Sequence, residues 1–159
     1  MHNLSERLPE SAKKVWRINA TITTSIFAIL TLAFFITRIW WHNMPLFIGF
    51  ILLGYTVIQG VLFIFVIPPI RLKIWGYEIR ENEVDIQFGL IIRKRVLIPM
   101  SRIQHVDTEK GPIQRIFNLA TLSITTAGSN HKIPALLDET AILLRSKISR
   151  LADMSDEDV

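Results

Sequence analysis

The sequence of 159 residues contains no cysteine. Disulfide bonds, thiolate zinc sites, iron–sulfur clusters and cysteine nucleophiles are therefore excluded, because each of them requires a thiol. The sequence also lacks a Gly-rich phosphate loop, a G-x-S-x-G elbow and an H-E-x-x-H pair. We therefore expect no enzymatic activity, no metal site and no cofactor.

Charge is missing from two long stretches, Ile18 to Thr37 and Ile39 to Ile70. Half of all residues are hydrophobic, and of the 18 lysines and arginines only Arg38 interrupts these stretches. A bilayer core of about 30 Å requires about 20 apolar residues of helix. The sequence therefore predicts transmembrane helices over 18–37 and 45–67.

The two predicted helices form a hairpin. A short extracytoplasmic loop, 38–44, joins them and contains the pair Trp40-Trp41, which is typical of a membrane interface. Pro68-Pro69 is expected to end the second helix, since proline cannot continue one. A cleaved signal peptide is the alternative for the first stretch. Its apolar run is long, however, and no small-x-small cleavage pattern follows it.

Positive charge decides the predicted orientation, because cytoplasmic segments of membrane proteins are enriched in lysine and arginine. Lysine and arginine cluster before the first helix and directly after the second, whereas the loop contains only Arg38. We therefore predict a multi-pass protein of the cell membrane with both termini in the cytoplasm. Its cytoplasmic parts are an N-terminal segment (1–17), a domain (72–152) and an acidic tail (153–159). This topology accounts for the net charge of +4, and no nucleic acid is expected as a partner.

Small residues recur at helical spacing in both predicted helices and indicate where the helices touch. Thr24 and Ala28 lie on one stripe of the first helix, and Gly49 and Gly60 on one stripe of the second. Small side chains let membrane helices approach closely. Chance recurrence in spans that contain several threonines and glycines is the alternative.

After Pro69 the pattern changes to alternating apolar and polar residues, which is typical of strands with one buried face. Val84, Ile86 and Phe88 form such a face, and Gly89 marks the following turn. From about Ala135 the apolar period becomes helical again. The predicted helical stripe comprises Leu137, Ala141, Leu144, Ile148 and Leu151. The sequence therefore predicts an α+β domain whose C-terminal helix packs on a sheet.

A family signature begins at Ile98 with the run IPMSRIQHVD and continues with KGPIQRIF from Lys110 and TTAG from Thr125. This ordered pattern resembles the bacterial pleckstrin-homology (PH) domain, over about Tyr77 to Leu151. Asn118 stands where that family commonly has glycine, and Asn tolerates a left-handed backbone better than most residues. The resemblance implies a bent, partly open barrel of about seven strands with a C-terminal helix.

Two spans followed by one such domain are similar to the small YdbS-like membrane proteins. That resemblance implies a larger membrane partner and a role in envelope defence against membrane-active peptides. The leading hypothesis is a non-enzymatic membrane protein whose domain mediates assembly, with itself or with a larger partner that carries similar domains.

Arg93, Lys94 and Arg95 are the sharpest candidates for a lipid-binding or partner-binding face. They lie near a predicted hairpin in a domain tethered to the membrane, where each basic residue contributes about 1 kcal/mol of attraction to anionic lipid. A sensor of anionic head groups that uses Arg93 and Arg95 is therefore the alternative function. A solvated strand face is the alternative without function.

Ser101, His105 and Asp107 combine the residue types of a catalytic triad. Their even spacing places them on the polar face of one regular strand, and no strained elbow accompanies the serine. We therefore interpret them as surface residues.

Overall fold

A computed structural model describes residues 6–41, 45–90 and 92–157. The description leaves out residues 1–5 and 158–159 at the termini, residues 42–44 of the predicted loop, and Ile91. The chain divides into two units. One unit comprises Met1–Val15 and Ile70–Val159, and the other comprises Trp16–Pro69.

Two long helical segments dominate the first half of the chain. Helix α1 spans Ser11–Trp40. Helix α2 spans Leu46–Val61 and continues through a π-helical stretch, Leu62–Val66, into α3, Ile67–Ile74. Ser11–Trp40 and Leu46–Ile74 are each long and apolar enough to cross a membrane. Most of their large apolar side chains are exposed, as expected for helices that are solvated by lipid.

The predicted helix end at Pro68-Pro69 is wrong, because helical structure continues to Ile74. The π-helical stretch immediately before the prolines explains the difference. There the Ile67 amide donates to the Leu62 carbonyl, five residues back. Such local widening of the helix makes room for the proline rings. It also lets the helix continue although proline has no N–H group to donate.

The β-rich unit contains two antiparallel sheets. The first sheet has the order β1-β2-β3-β4, with β1 at Glu6–Arg7, β2 at Gly76–Ile79, β3 at Glu83–Phe88 and β4 at Lys94–Pro99. The second has the order β5-β6-β7, with β5 at Ile103–Glu109, β6 at Leu119–Thr126 and β7 at Asn130–Leu137. A 3₁₀ turn, Met100–Arg102, joins the sheets. Helix α4 spans Pro112–Ile116, and helix α5 spans Asp138–Glu157. This arrangement confirms the predicted α+β, PH-like fold, and the two sheets do not close into a barrel.

The first strand comes from the N-terminal segment, ahead of α1. Glu6 pairs with Tyr77 and Arg7 with Gly76. The Glu6 carboxylate also accepts a hydrogen bond from Tyr77, and burial together with this contact raises the pKa of the Tyr77 phenol. The two long helical segments are therefore inserted between the first and second strands of one domain, which sequence patterns did not reveal.

Helix α5 covers the apolar core of this unit. Its buried residues are Ala141, Leu144, Ile148 and Ala152. Two members of the predicted stripe are corrected. Leu137 is the last residue of β7, paired with Leu119, and is 47% exposed. Leu151 is only half-buried, because Ala152 continues the 3–4 spacing on the buried face.

Candidate functional site

The hairpin of β3 and β4 carries the predicted basic residues. Phe88 pairs with Lys94, and the described residues of the turn between them are Gly89, Leu90, Ile92 and Arg93. Gly89 has a φ of +112°, and a Cβ there would lie 2.0 Å from the Ile92 carbonyl oxygen. Only glycine fits this backbone, which confirms the turn predicted at Gly89.

Arg95 is bound within the sheet. Its Nε lies 3.0 Å and 2.9 Å from the two carboxylate oxygens of Asp85, and its Nη2 also donates to Asp85. Hydrogen bonding to Asp85 and the charge of this carboxylate raise the pKa of Arg95. The Asp85 side chain is fully buried. Arg95 therefore neutralises a buried carboxylate.

Arg93 and Lys94 are placed differently. Both are exposed, and neither forms an ion pair with any residue that the structure describes. Of the three predicted basic residues, these two therefore remain available to a lipid or a protein partner.

Apolar side chains also lie in this turn, and the sequence pattern assigned them no functional role. Leu90 is 40% exposed and Ile92 is 72% exposed. The signal was present in the sequence as an apolar run, 90–92, between Gly89 and the basic residues. At the base of the turn, Phe88 stacks on Trp75 with ring centroids 5.5 Å apart.

Ser101, His105 and Asp107 line an open groove of about 720 Å³ beside Ser149 and Asp153 of α5. The expectation that they share one regular strand is wrong. Ser101 lies in the 3₁₀ turn, and the pairing of β5 shifts register between Ile103 and His105. All three are exposed, and no hydrogen bond joins them in the described structure. Among the described residues, no group of three or more His, Asp or Glu could hold a metal ion.

A second exposed apolar set lies where α4, β7 and α5 meet. The Asp138 amide donates to the Asn118 carbonyl at 3.0 Å and holds the end of α4 near the start of α5. Asn118 has a φ of +51°, which confirms the expected left-handed conformation. Four exposed apolar residues belong to these elements: Ile116 ends α4, Leu137 ends β7, and Ile142 and Leu143 lie near the start of α5. We call these four residues the junction patch.

Within the helical unit, small and hydroxyl side chains lie between α1 and α2. The Oγ1 atoms of Thr31 and Thr56 are 3.2 Å apart, and Thr24 Oγ1 lies 3.4 Å from Gln59 Oε1. A Cβ on Gly60 would lie 3.0 Å from the Thr24 methyl group.

Gly49 and Ala28 were also predicted to lie in the contact between α1 and α2, and only Gly49 does. A Cβ on Gly49 would lie 2.7 Å from the Phe35 ring. Ala28, by contrast, is exposed. Phe27 lies on the contacting side instead and meets the Tyr55 ring edge-on at 5.4 Å. The contacting stripe of α1 therefore follows 24, 27 and 31, a 3–4 spacing as regular as the predicted one.

Comparison with known proteins agrees with this architecture. The Bacterial PH domain family matches residues 22–152. The chain is 41% identical over 146 residues to the transmembrane protein YdbS of Bacillus subtilis, covering 92% of the chain and 91% of YdbS. It is 35% identical over 85 residues to the transmembrane protein YdbT of the same organism, covering 52% of the chain but only 17% of YdbT. No solved structure matches the chain.

Proposed function

The chain belongs to the bacterial PH domain family, and we propose that this membrane protein is non-enzymatic and uses its PH-like domain for protein assembly. The partner is a larger membrane protein that carries a similar domain, or a second copy of the chain. The domain and both termini lie in the cytoplasm, beneath the cell membrane.

The observation that carries this proposal is the pair of relatives in one organism. YdbS has nearly the length of this chain, whereas the matched segment is only 17% of YdbT. YdbT is therefore a much larger transmembrane protein that contains a segment similar to half of this chain. Like domains present like surfaces, which allows pseudo-symmetric association between a small and a large protein.

The junction patch supplies a surface for such association. Ile116 is 76% exposed and Leu143 is 70% exposed. Exposed apolar patches commonly mark protein interfaces, and their burial contributes about 25 cal/mol per Å². An apolar surface of this kind fits a protein partner better than it fits a soluble ligand.

The strand pairing of β1 supports the proposed topology independently of charge. Residues of one sheet must lie on one side of a membrane, and Glu6 pairs with Tyr77 across β1 and β2. The chain therefore has to cross the bilayer an even number of times between them. The lysine and arginine count then favours the cytoplasm as the shared side.

Binding of anionic lipid head groups through Arg93 and Arg95 is the weaker candidate. The Arg95 guanidinium is paired with the Asp85 carboxylate, so only Arg93 and Lys94 are left to bind lipid head groups. Two such residues contribute about 2 kcal/mol near an anionic surface, too little for selective capture of a lipid.

Affinity purification of the tagged full chain in mild detergent tests the assembly function. We expect a larger membrane protein with a similar domain, or a second copy, to co-purify in a fixed ratio. Leu143→Glu should abolish recovery of the partner, whereas Asn82→Glu, in the turn between β2 and β3, should not. Recovery of anionic lipid without a protein would favour the weaker candidate.

The proposed cellular role is envelope defence against membrane-active peptides, as the YdbS-like resemblance implies. Deletion of the gene should increase killing by such peptides, and the Leu143→Glu variant should fail to restore resistance if assembly is required. Unchanged sensitivity of the deletion strain would refute this role and leave the assembly proposal standing.

A further inference from the structure

We propose that Leu90 and Ile92, in the turn between β3 and β4, insert into the interface of the bilayer. Leu90 and Ile92 contact the outer hydrocarbon region, and Arg93 and Lys94 lie beside anionic head groups. The turn then acts as an anchor that orients the domain. This inference does not depend on the assembly function.

Strand register places the turn at one particular end of the first sheet. Arg7 pairs with Gly76, Gly76 with Gln87, and Gln87 with Arg95. These four residues form a row across all strands of the sheet. The turn between β3 and β4 begins just beyond this row, after the pair Phe88 and Lys94.

The chain leaves the sheet toward both long helices at that same end. Helix α1 begins four residues after Arg7, and α3 ends two residues before Gly76. Trp75, between α3 and β2, stacks on Phe88 at the base of the turn. The connections to both membrane segments therefore start beside the turn.

The composition of the turn fits a bilayer interface. Ile92 is 72% exposed although it is large and apolar, and Arg93 follows it directly. Apolar side chains next to basic ones are typical of segments that lie in the headgroup region. There the apolar side chains contact the acyl chains, and the basic ones contact anionic head groups.

The turn at the opposite end of the sheet offers an internal contrast. It comprises Arg80, Glu81 and Asn82, and Arg80 pairs with Glu78 and Glu83. No apolar residue is present there. Exposed apolar side chains thus occur on the turn beside the membrane connections and not on the turn farthest from them.

The bilayer is favoured over a protein as the occupant because the chain connects to both membrane helices at the end of the sheet where the turn lies. The helices tether the domain, so a weak contact with lipid is intramolecular and has a high effective concentration. The free charges of Arg93 and Lys94 complement anionic lipid, whereas binding to a protein would additionally require a matching acidic surface.

The absence of cysteine allows a direct test on the purified full chain. Ile92→Cys carries an environment-sensitive fluorophore, and Asn82→Cys, in the opposite turn, carries the same label as the matched control. Both proteins are reconstituted alone in vesicles of phosphatidylglycerol and phosphatidylcholine. We expect blue-shifted emission at position 92, several-fold weaker quenching by aqueous iodide than at position 82, and quenching by brominated lipid only at position 92.

Leu90→Cys provides a second labelled position, so that a local disturbance at Ile92 cannot decide the result. Replacing Arg93 and Lys94 with Gln should reduce lipid quenching in anionic vesicles and leave it unchanged in phosphatidylcholine alone. Equal iodide access at positions 82, 90 and 92 would overturn the proposal. Protection that rises with the protein-to-lipid ratio would also overturn it, because a second copy would then cover the turn.

Discussion

Asp85 on β3 and Arg95 on β4 form an ion pair in which the carboxylate is fully buried and the guanidinium is 42% exposed. Two atoms of the guanidinium contact the carboxylate, and Nε lies within 3.0 Å of both its oxygens. A buried carboxylate without such a partner would be strongly unfavourable. The pair therefore assigns Arg95 to the stability of the sheet.

Arg95→Gln should destabilise the domain because it leaves Asp85 buried and unpaired. Arg93→Gln is the matched control, since Arg93 is exposed and should change the free energy of unfolding by no more than about 0.5 kcal/mol. Thermal melting of both variants of the full chain in detergent measures the difference. Equal melting temperatures would show that the ion pair does not support the fold.

The burial of Asp85 could not be predicted from the sequence of β3 alone. Alternation correctly predicted that Val84 and Ile86 are buried, but a strand with only one buried face does not account for Asp85, which is buried as well. A single strand does not reveal what covers its second face. That depends on the register with β4, where Arg95 reaches diagonally to Asp85.

Strand β1 could not be predicted from the sequence for a related reason. Glu6 and Arg7 form only two ladder pairs and have no alternating pattern of their own. Their pairing is long-range in sequence and crosses the insertion of both long helices. Strand β6, Leu119–Thr126, by contrast, has a local signal, because it is a β-rich run that ends in turn residues.

Leu144→Asp should unfold the β-rich unit, with a loss of at least about 4 kcal/mol, because Leu144 is buried against the sheet and an unpaired carboxylate is costly there. Leu143→Asp is the control, since Leu143 is its neighbour on α5 and is 70% exposed. Denaturant unfolding of the two variants should separate them clearly. Similar unfolding midpoints would argue against the assigned orientation of α5.

The N-terminal segment should stabilise the domain measurably. Leu8, Ala12 and Val15 are buried and belong to the same unit as the sheets. A soluble protein in which a Gly/Ser linker joins residues 1–15 to 70–159 should therefore melt at a higher temperature than 72–159 alone. Leu8→Ala in the linked protein should cost about 2–4 kcal/mol. If the linked and unlinked proteins melt alike, the N-terminal strand does not contribute.

Reporter fusions test the proposed orientation. A reporter that is active only in the cytoplasm should give signal when fused after Val159 or before the N-terminus, since β1 and β2 share one sheet. Insertion of the same reporter at Asn43 should give none, because that loop is predicted to lie outside. Activity at Asn43 alone would mean that the orientation is inverted. Opposite results at the two termini would contradict the pairing of β1 with β2.

Two glycines of α2 provide a matched test of the helix contact. A Cβ on Gly60 would lie 3.0 Å from the Thr24 methyl group, whereas a Cβ on Gly54 would meet nothing within 4 Å. Gly60→Leu should therefore force the helices apart and cost about 1–3 kcal/mol. Gly54→Leu adds the same side chain at an open position and should be neutral or slightly stabilising, because leucine favours helix. Thermal melting in detergent compares them, and equal melting temperatures would place Gly60 outside the contact between α1 and α2.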